Sequence, residues 1–123
     1  MRCAIYCRLS REDEDRLLES ESIQNQKSLL RDYAAEQNWQ IYRIYCDEDY
    51  SGADRNRPDF NRMLRDAKDQ KFDLILCKTQ SRFTRDMELV ERYIHGLFPQ
   101  WGIRFIAIAD HIDTSLQGNK KAR

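Results

Sequence analysis

The sequence has no excess of charge of either sign: 21 Lys and Arg stand against 21 Asp and Glu in 123 residues. A domain that holds duplex DNA by charge alone carries a strong basic surplus, so any recognition of anions here has to be local. No C-x-x-C spacing links the four cysteines, and Cys3, Cys7, Cys46 and Cys77 all fall inside apolar, strand-like runs. That pattern reads as buried, reduced thiols in preference to a zinc site or a disulfide framework. No apolar run approaches membrane-spanning length and the amino terminus is no export signal, so a cytoplasmic protein with no membrane partner is expected. The length suits one domain with one core.

What is present is an alternation of strand-like and helix-like segments. The run Cys3-Ala4-Ile5-Tyr6-Cys7, without Gly or Pro, reads as a buried strand that delivers Arg8 and Ser10 to its carboxyl end. Leu9 to Glu21 holds six acids and no strand pattern, the mark of an exposed, mobile loop. A helix is expected from Ser20 or Ser22, with Ile23, Leu29, Leu30, Tyr33 and Ala34 at helical spacing and Asn38 as its stop. Gln40 to Cys46 is the second strand, and Asp47 to Arg57 the polar loop after it. Pro58 opens a second helix, with Asp59 favourable in its first turn and Phe60, Met63, Leu64 and Ala67 on the inner face. Phe72 to Lys78 is the third strand, and its Leu74-Ile75-Leu76-Cys77 core implies burial on both faces. After the loop Thr79 to Phe83, a third helix is expected from Thr84 to Phe98, ending at Pro99, with Met87, Val90, Ile94 and Leu97 inward. Ile103 to Ala109 is the fourth strand, and Asp110 to Arg123 reads as a loose end.

This β-α-β-α-β-α-β order predicts an α/β fold: a parallel, flavodoxin-like sheet of order 2-1-3-4 with helices on both faces. The loops after the first three strands then share one sheet edge, the edge at which open α/β sheets bind ligands. Those loops bring Arg8 and Ser10, then Arg55 and Arg57, then Ser81, Arg82 and Arg85. Arg85 falls beside a helix amino end, where a cation is unfavourable by roughly 0.3–1 kcal/mol unless an anion intervenes. Arginine is always charged and can offer a phosphate two parallel hydrogen bonds. Each arginine alone could be a solvated surface charge, but that explains four around one hydroxyl poorly.

Four stretches carry a family resemblance: Tyr6-Cys7-Arg8-Leu9-Ser10, Ser22-Ile23-Gln24-Asn25-Gln26, Asp49-Tyr50-Ser51-Gly52 followed by Arg57-Pro58, and Ser81-Arg82-Phe83-Thr84-Arg85. In this order they resemble the catalytic domain of serine recombinases, the resolvase/invertase superfamily. The acidic insertion between Ser10 and Ser22 is most similar to the large serine recombinases of transposons and phages. The resemblance implies that Ser10 is a nucleophile forming a 5′-phosphoserine linkage with DNA and that Arg8, Arg57, Arg82 and Arg85 bind phosphate. Gln26 would be a polar active-site residue and Asp73 an acid of the same set. It also implies a site-specific recombinase that acts on double-stranded DNA without metal, ATP or other cofactor, through dimers and tetramers of a longer protein. Where small resolvases have aspartate just before the arginine of the third loop, this chain has Ser81.

Other chemistries fit the same residues less well. Asp47-Glu48-Asp49-Tyr50-Ser51 resembles the D-x-D-x-S/T of metal-dependent phosphotransferases, but it leaves Ser10 and the arginines without a role. A Ser10-His111-Asp hydrolase lacks the G-x-S-x-G turn. Cysteine phosphatase chemistry needs C-x5-R, and no cysteine here has it. A noncatalytic response-regulator module needs an acidic pocket where this chain has Arg8 and Ser10.

Overall fold

The computed structural model describes residues 1–10, 23–49 and 57–115, with residues 9, 10, 48 and 49 described by backbone alone. The expected acidic loop and its Ser22 cap, most of the loop after the second strand, and the carboxyl-terminal stretch from 116 lie outside the described residues.

Strand β1 (Arg2–Ser10) runs through the middle of the sheet, parallel to β2 (Gln40–Asp49) on one side and to β3 (Leu74–Cys77) on the other. Next come β4 (Arg104–Ala107), parallel to β3, and a two-residue β5 (Ile112–Asp113), antiparallel to β4. The order is therefore β2-β1-β3-β4-β5. The expected 2-1-3-4 core is present, and the supposed loose end adds a fifth strand. The Arg104 guanidinium grips both carboxylate oxygens of Asp113, at 2.9 and 2.6 Å, and Thr114 Oγ1 accepts from the Phe105 N–H at 3.0 Å. Side-chain pairing of this kind leaves no trace in hydrophobic periodicity.

Side chains alternate across β1 and so feed two cores. Ala4 and Tyr6 join Phe60, Met63, Phe83, Ile94, Phe98 and Phe105 on one face. Cys3, Ile5 and Cys7 join Ile23, Leu30, Ala34 and Ile106 on the other. Helix α1 (Ile23–Glu36) covers the second face, and its Leu29 is exposed where an inward position was expected. Asn38 takes φ 62°, the left-handed turn that its role as a stop requires. Helix α2 (Pro58–Lys68) covers the first face together with a short turn of helix, α3 (Gln80–Phe83).

Helix α4 spans residues 87–101 and departs from expectation at both ends. It begins after Asp86, whose carboxylate accepts the Glu88 N–H, and its first residue, Met87, is 62% exposed where an inward position was expected, whereas Val90 and Ile94 are buried. Its middle, Val90–Leu97, is π-helical, and the Phe98 N–H reaches back to the Tyr93 carbonyl. The i to i−5 offset is established before Pro99, so its missing N–H interrupts little and the helix continues to Trp101. Gly102, at φ 73°, then ends it: the Gly102 N–H bonds Pro99 O and the Ile103 N–H bonds Phe98 O.

The four cysteines are free thiols, three of them buried. Burial pushes Cys3 up to about 11 and Cys77 higher still, whereas half-buried Cys46 is held below the ordinary range by a hydrogen bond from Cys7. At pH 8, iodoacetamide should modify Cys46 first and leave Cys3 and Cys77 unmodified until the chain is unfolded, as peptide mass spectrometry would read. Alkylation of Cys77 in the folded chain at a free-thiol rate would contradict this core.

Candidate active site

The carboxyl edge of the sheet is built by unequal strands. β1 pairs with β2 along its whole length, to Ser10 opposite Asp49, but with β3 only from Cys3 to Ile5. The end of β1 therefore projects beyond β3, and its backbone needs other partners. Gln26, fully buried on α1, supplies them: its Oε1 accepts the Arg8 N–H at 3.2 Å and its Nε2 donates to Arg8 O at 3.1 Å. One side-chain amide thus stands in for a neighbouring strand, two residues before Ser10.

The gap beyond β3 is filled by the turn 78–86. Thr79 caps α3 by accepting the Arg82 N–H, and its Oγ1 lies 3.0 Å from Ser81 Oγ. Thr84 Oγ1 accepts the Asp86 N–H at 3.1 Å and leads the chain into α4. The open carbonyls at the carboxyl end of α3 point at two buried guanidiniums. Arg8, 2% exposed, donates from Nη2 to Ser81 O at 2.6 Å and from Nε to Arg82 O at 3.1 Å. Arg57, also 2% exposed, donates from Nη1 to Phe83 O. Three successive carbonyls are satisfied by two cations, one from the end of β1 and one from the amino-terminal cap position of α2, the charge sense favoured at a helix carboxyl terminus. Arg82, 8% exposed, turns back so that Nη1 reaches 3.5 Å from Arg8 O, while Arg85 is exposed on the turn.

Arg57 has a further setting. Its guanidinium carbon lies 3.7 Å from the centre of the Phe60 ring, and Nη1 is 3.5 Å from the Tyr6 hydroxyl. That hydroxyl donates to Asp47 Oδ2 at 2.8 Å. Asp47 also accepts the Asp59 N–H on Oδ1 at 3.0 Å and the Phe60 N–H on Oδ2 at 2.9 Å. The first turn of α2 is thereby capped from β2, since Arg57 at the cap position has donors only and cannot accept those N–H groups itself. With both oxygens engaged and the group buried, Asp47 serves the fold, unlike the first acid that the phosphotransferase alternative requires.

Of the residues singled out in the sequence, Arg8, Gln26, Arg57 and Arg82 meet at this edge, with Ser10 ending the strand that carries Arg8 and Arg85 on the adjoining turn. Asp73 does not join them. It precedes β3 at the amino edge, where its carboxylate accepts the Arg2 N–H at 2.8 Å. Arg2 lies eight residues along β1 from Ser10, a strand length of about 26 Å. The strand direction alone excludes Asp73 from the site, so its placement there is corrected. His111 lies in the turn between β4 and β5 and lines a cavity of about 400 Å³ with Tyr33, Ile106 and Ile112. The residues missed in the sequence are Tyr6 and Asp47. A tyrosine inside a buried strand needs a partner for its hydroxyl, and that was the available signal.

The family model for the resolvase N-terminal domain matches residues 3–121, nearly the whole chain. The chain belongs to the resolvase family. Among solved structures, the N-terminal catalytic domain of TP901-1 integrase superposes with a TM-score of 0.80 at 30% identity, over 94% of this chain and 82% of that one. A resolvase family site-specific recombinase from Streptococcus pneumoniae follows with a TM-score of 0.72 at 26% identity, covering 94% and 76%. A curated relative, the uncharacterized immunity region protein 3 of Bacillus phage phi105, is 41% identical over 61 residues, half of this chain and 72% of its own length. This resolvase-family chain is thus a serine recombinase catalytic domain, similar to a protein of a Bacillus phage. Among its described residues, no helix is long and apolar enough to cross a membrane.

Proposed function

We propose that this chain is the catalytic domain of a longer, site-specific DNA recombinase and that Ser10 is its nucleophile. Ser10 Oγ attacks a DNA phosphorus and forms a P–O bond, while the bond from phosphorus to the 3′ oxygen breaks. The proton lost by the serine balances the proton gained by the departing 3′ hydroxyl. The phosphodiester energy is kept as a 5′-phosphoserine ester, so the 3′ hydroxyl of another strand can reverse the attack without ATP.

The observation that carries this reading is the meeting of Arg8, Arg57 and Arg82 from three separate segments at the end of the strand that terminates in Ser10. Fixed guanidiniums stabilise the charge that grows on the equatorial oxygens at phosphorus. Arg82, turned back toward Arg8, and Arg85, exposed on the turn, are assigned to the phosphate itself. Arg8 and Arg57 hold the turn in place by its carbonyls. Exchange of two duplexes cuts four strands and consumes four serines, which supports assembly through dimers into a tetramer on double-stranded DNA.

The test is to incubate the recombinase carrying this chain with a nicked duplex of its crossover site. Denaturing electrophoresis should reveal a protein–DNA adduct that peptide mass spectrometry maps to Ser10. The adduct should form equally in excess EDTA, because the charge stabilisation comes from arginine. An adduct on another residue, or one that needs magnesium, would overturn the proposal.

A further inference from the structure

Tyr6 and Asp47 are the two polar side chains of this edge to which the recombination chemistry assigns no role, yet both are buried and they are joined to each other. Burial, reinforced by Asp47 and opposed by Arg57, pushes the Tyr6 hydroxyl far above the ordinary tyrosine range, so it stays protonated and available as a donor. Its proton points to Asp47 Oδ2, which leaves the oxygen's lone pairs facing the Arg57 guanidinium. Asp47 takes the N–H groups of Asp59 and Phe60 as well, and so fixes the ring of Phe60 on which the same guanidinium lies. A planar cation is thus located by a ring beneath it, a hydroxyl beside it and the Phe83 carbonyl beyond it, two of the three set by one carboxylate.

We infer that Asp47 and Tyr6 form a positioning pair that orients Arg57 and, through the Phe83 carbonyl, sets the turn that carries Arg82 and Arg85. This inference deepens the proposed function and rests on it. The pair does not touch DNA; it determines how closely the arginines of the turn match the transition state. A displacement of about an ångström in such a group can cost a hundredfold in rate.

A matched control exists in the same core. Tyr45 donates to Asp66 at 2.6 Å, a second tyrosine–aspartate bond across the same β-sheet face, with no arginine of the site attached. Tyr6→Phe and Asp47→Asn should each shift the Arg57 Nε–Hε resonance in the NMR spectrum of the chain without DNA. In the recombinase, on the nicked crossover-site duplex, they should slow single-turnover cleavage tenfold to a hundredfold at saturating DNA, with the DNA Kd changed less than about twofold. Tyr45→Phe should lower thermal stability to a similar extent and leave resonance and cleavage unchanged. If Asp47→Asn does not fold, Tyr6→Phe decides alone, since it removes one oxygen and keeps the ring. An unmoved Arg57 resonance, wild-type cleavage by Tyr6→Phe, or equal slowing by Tyr45→Phe would overturn the inference. Those results leave the Ser10 adduct intact, whereas loss of the Ser10 assignment would be seen in the adduct map of the wild-type protein.

Discussion

Replacing Ser10 by alanine is expected to eliminate the covalent DNA adduct, lowering its rate of formation by at least about ten-thousandfold, because the proposed ester oxygen is that of Ser10. The chain should remain folded. Ser10 closes a ladder with β2 that depends on backbone groups, and alanine keeps all of them. Far-ultraviolet circular dichroism and thermal melting of the variant beside the wild type would separate loss of chemistry from loss of structure. Duplex binding by the recombinase should survive, since the phosphate contacts are proposed for other residues. A persisting adduct in Ser10→Ala would remove the nucleophile from the mechanism.

The second large effect is on stability. Arg8→Ala should destabilise the chain by about 2–5 kcal/mol, because the carbonyls of Ser81 and Arg82 lose their buried donors and each unsatisfied group costs roughly 1–3 kcal/mol. Relief of repulsion from neighbouring Arg82 offsets only part of that. Arg8→Lys should fall between the variant and the wild type, since an ammonium can satisfy one carbonyl but not two in a fixed fork. Arg85→Ala, on the exposed face of the turn, should change stability by no more than about 0.5 kcal/mol. Urea unfolding of the three variants measures the contrast. Arg8→Ala within 1 kcal/mol of the wild type would mean that the turn does not depend on this guanidinium.

The contrast arises because three of the four arginines are already held by the fold. Arg8, Arg57 and Arg82 are buried and engaged before any DNA is present. An arginine at a strand end in a sequence offers a charge and a fork; whether the fork meets a phosphate or a carbonyl depends on what lies across the gap. Here the gap exists because β3 is four residues long while β1 continues to Ser10. Strand lengths at their carboxyl ends are blurred in sequence, since polar residues such as Asp47, Glu48 and Asp49 still belong to β2.

By itself the sequence determined the alternation of strands and helices, the parallel core and the edge at which Ser10 and the arginines gather. Each follows from periodicity and from the crossover that parallel strands require. It also contained the reason that Asp73 stands apart, because the start of a parallel strand lies a full strand length from its end. Only the tertiary structure decided that Asp47 caps a helix from a neighbouring strand, that Gln26 completes the backbone pairing of Arg8, and that Asp113 and Arg104 add a fifth strand. These contacts join residues between 9 and 18 positions apart through single side-chain atoms. Hydrogen bonds of that kind depend on where two elements come to rest against a shared core, and no local propensity records them.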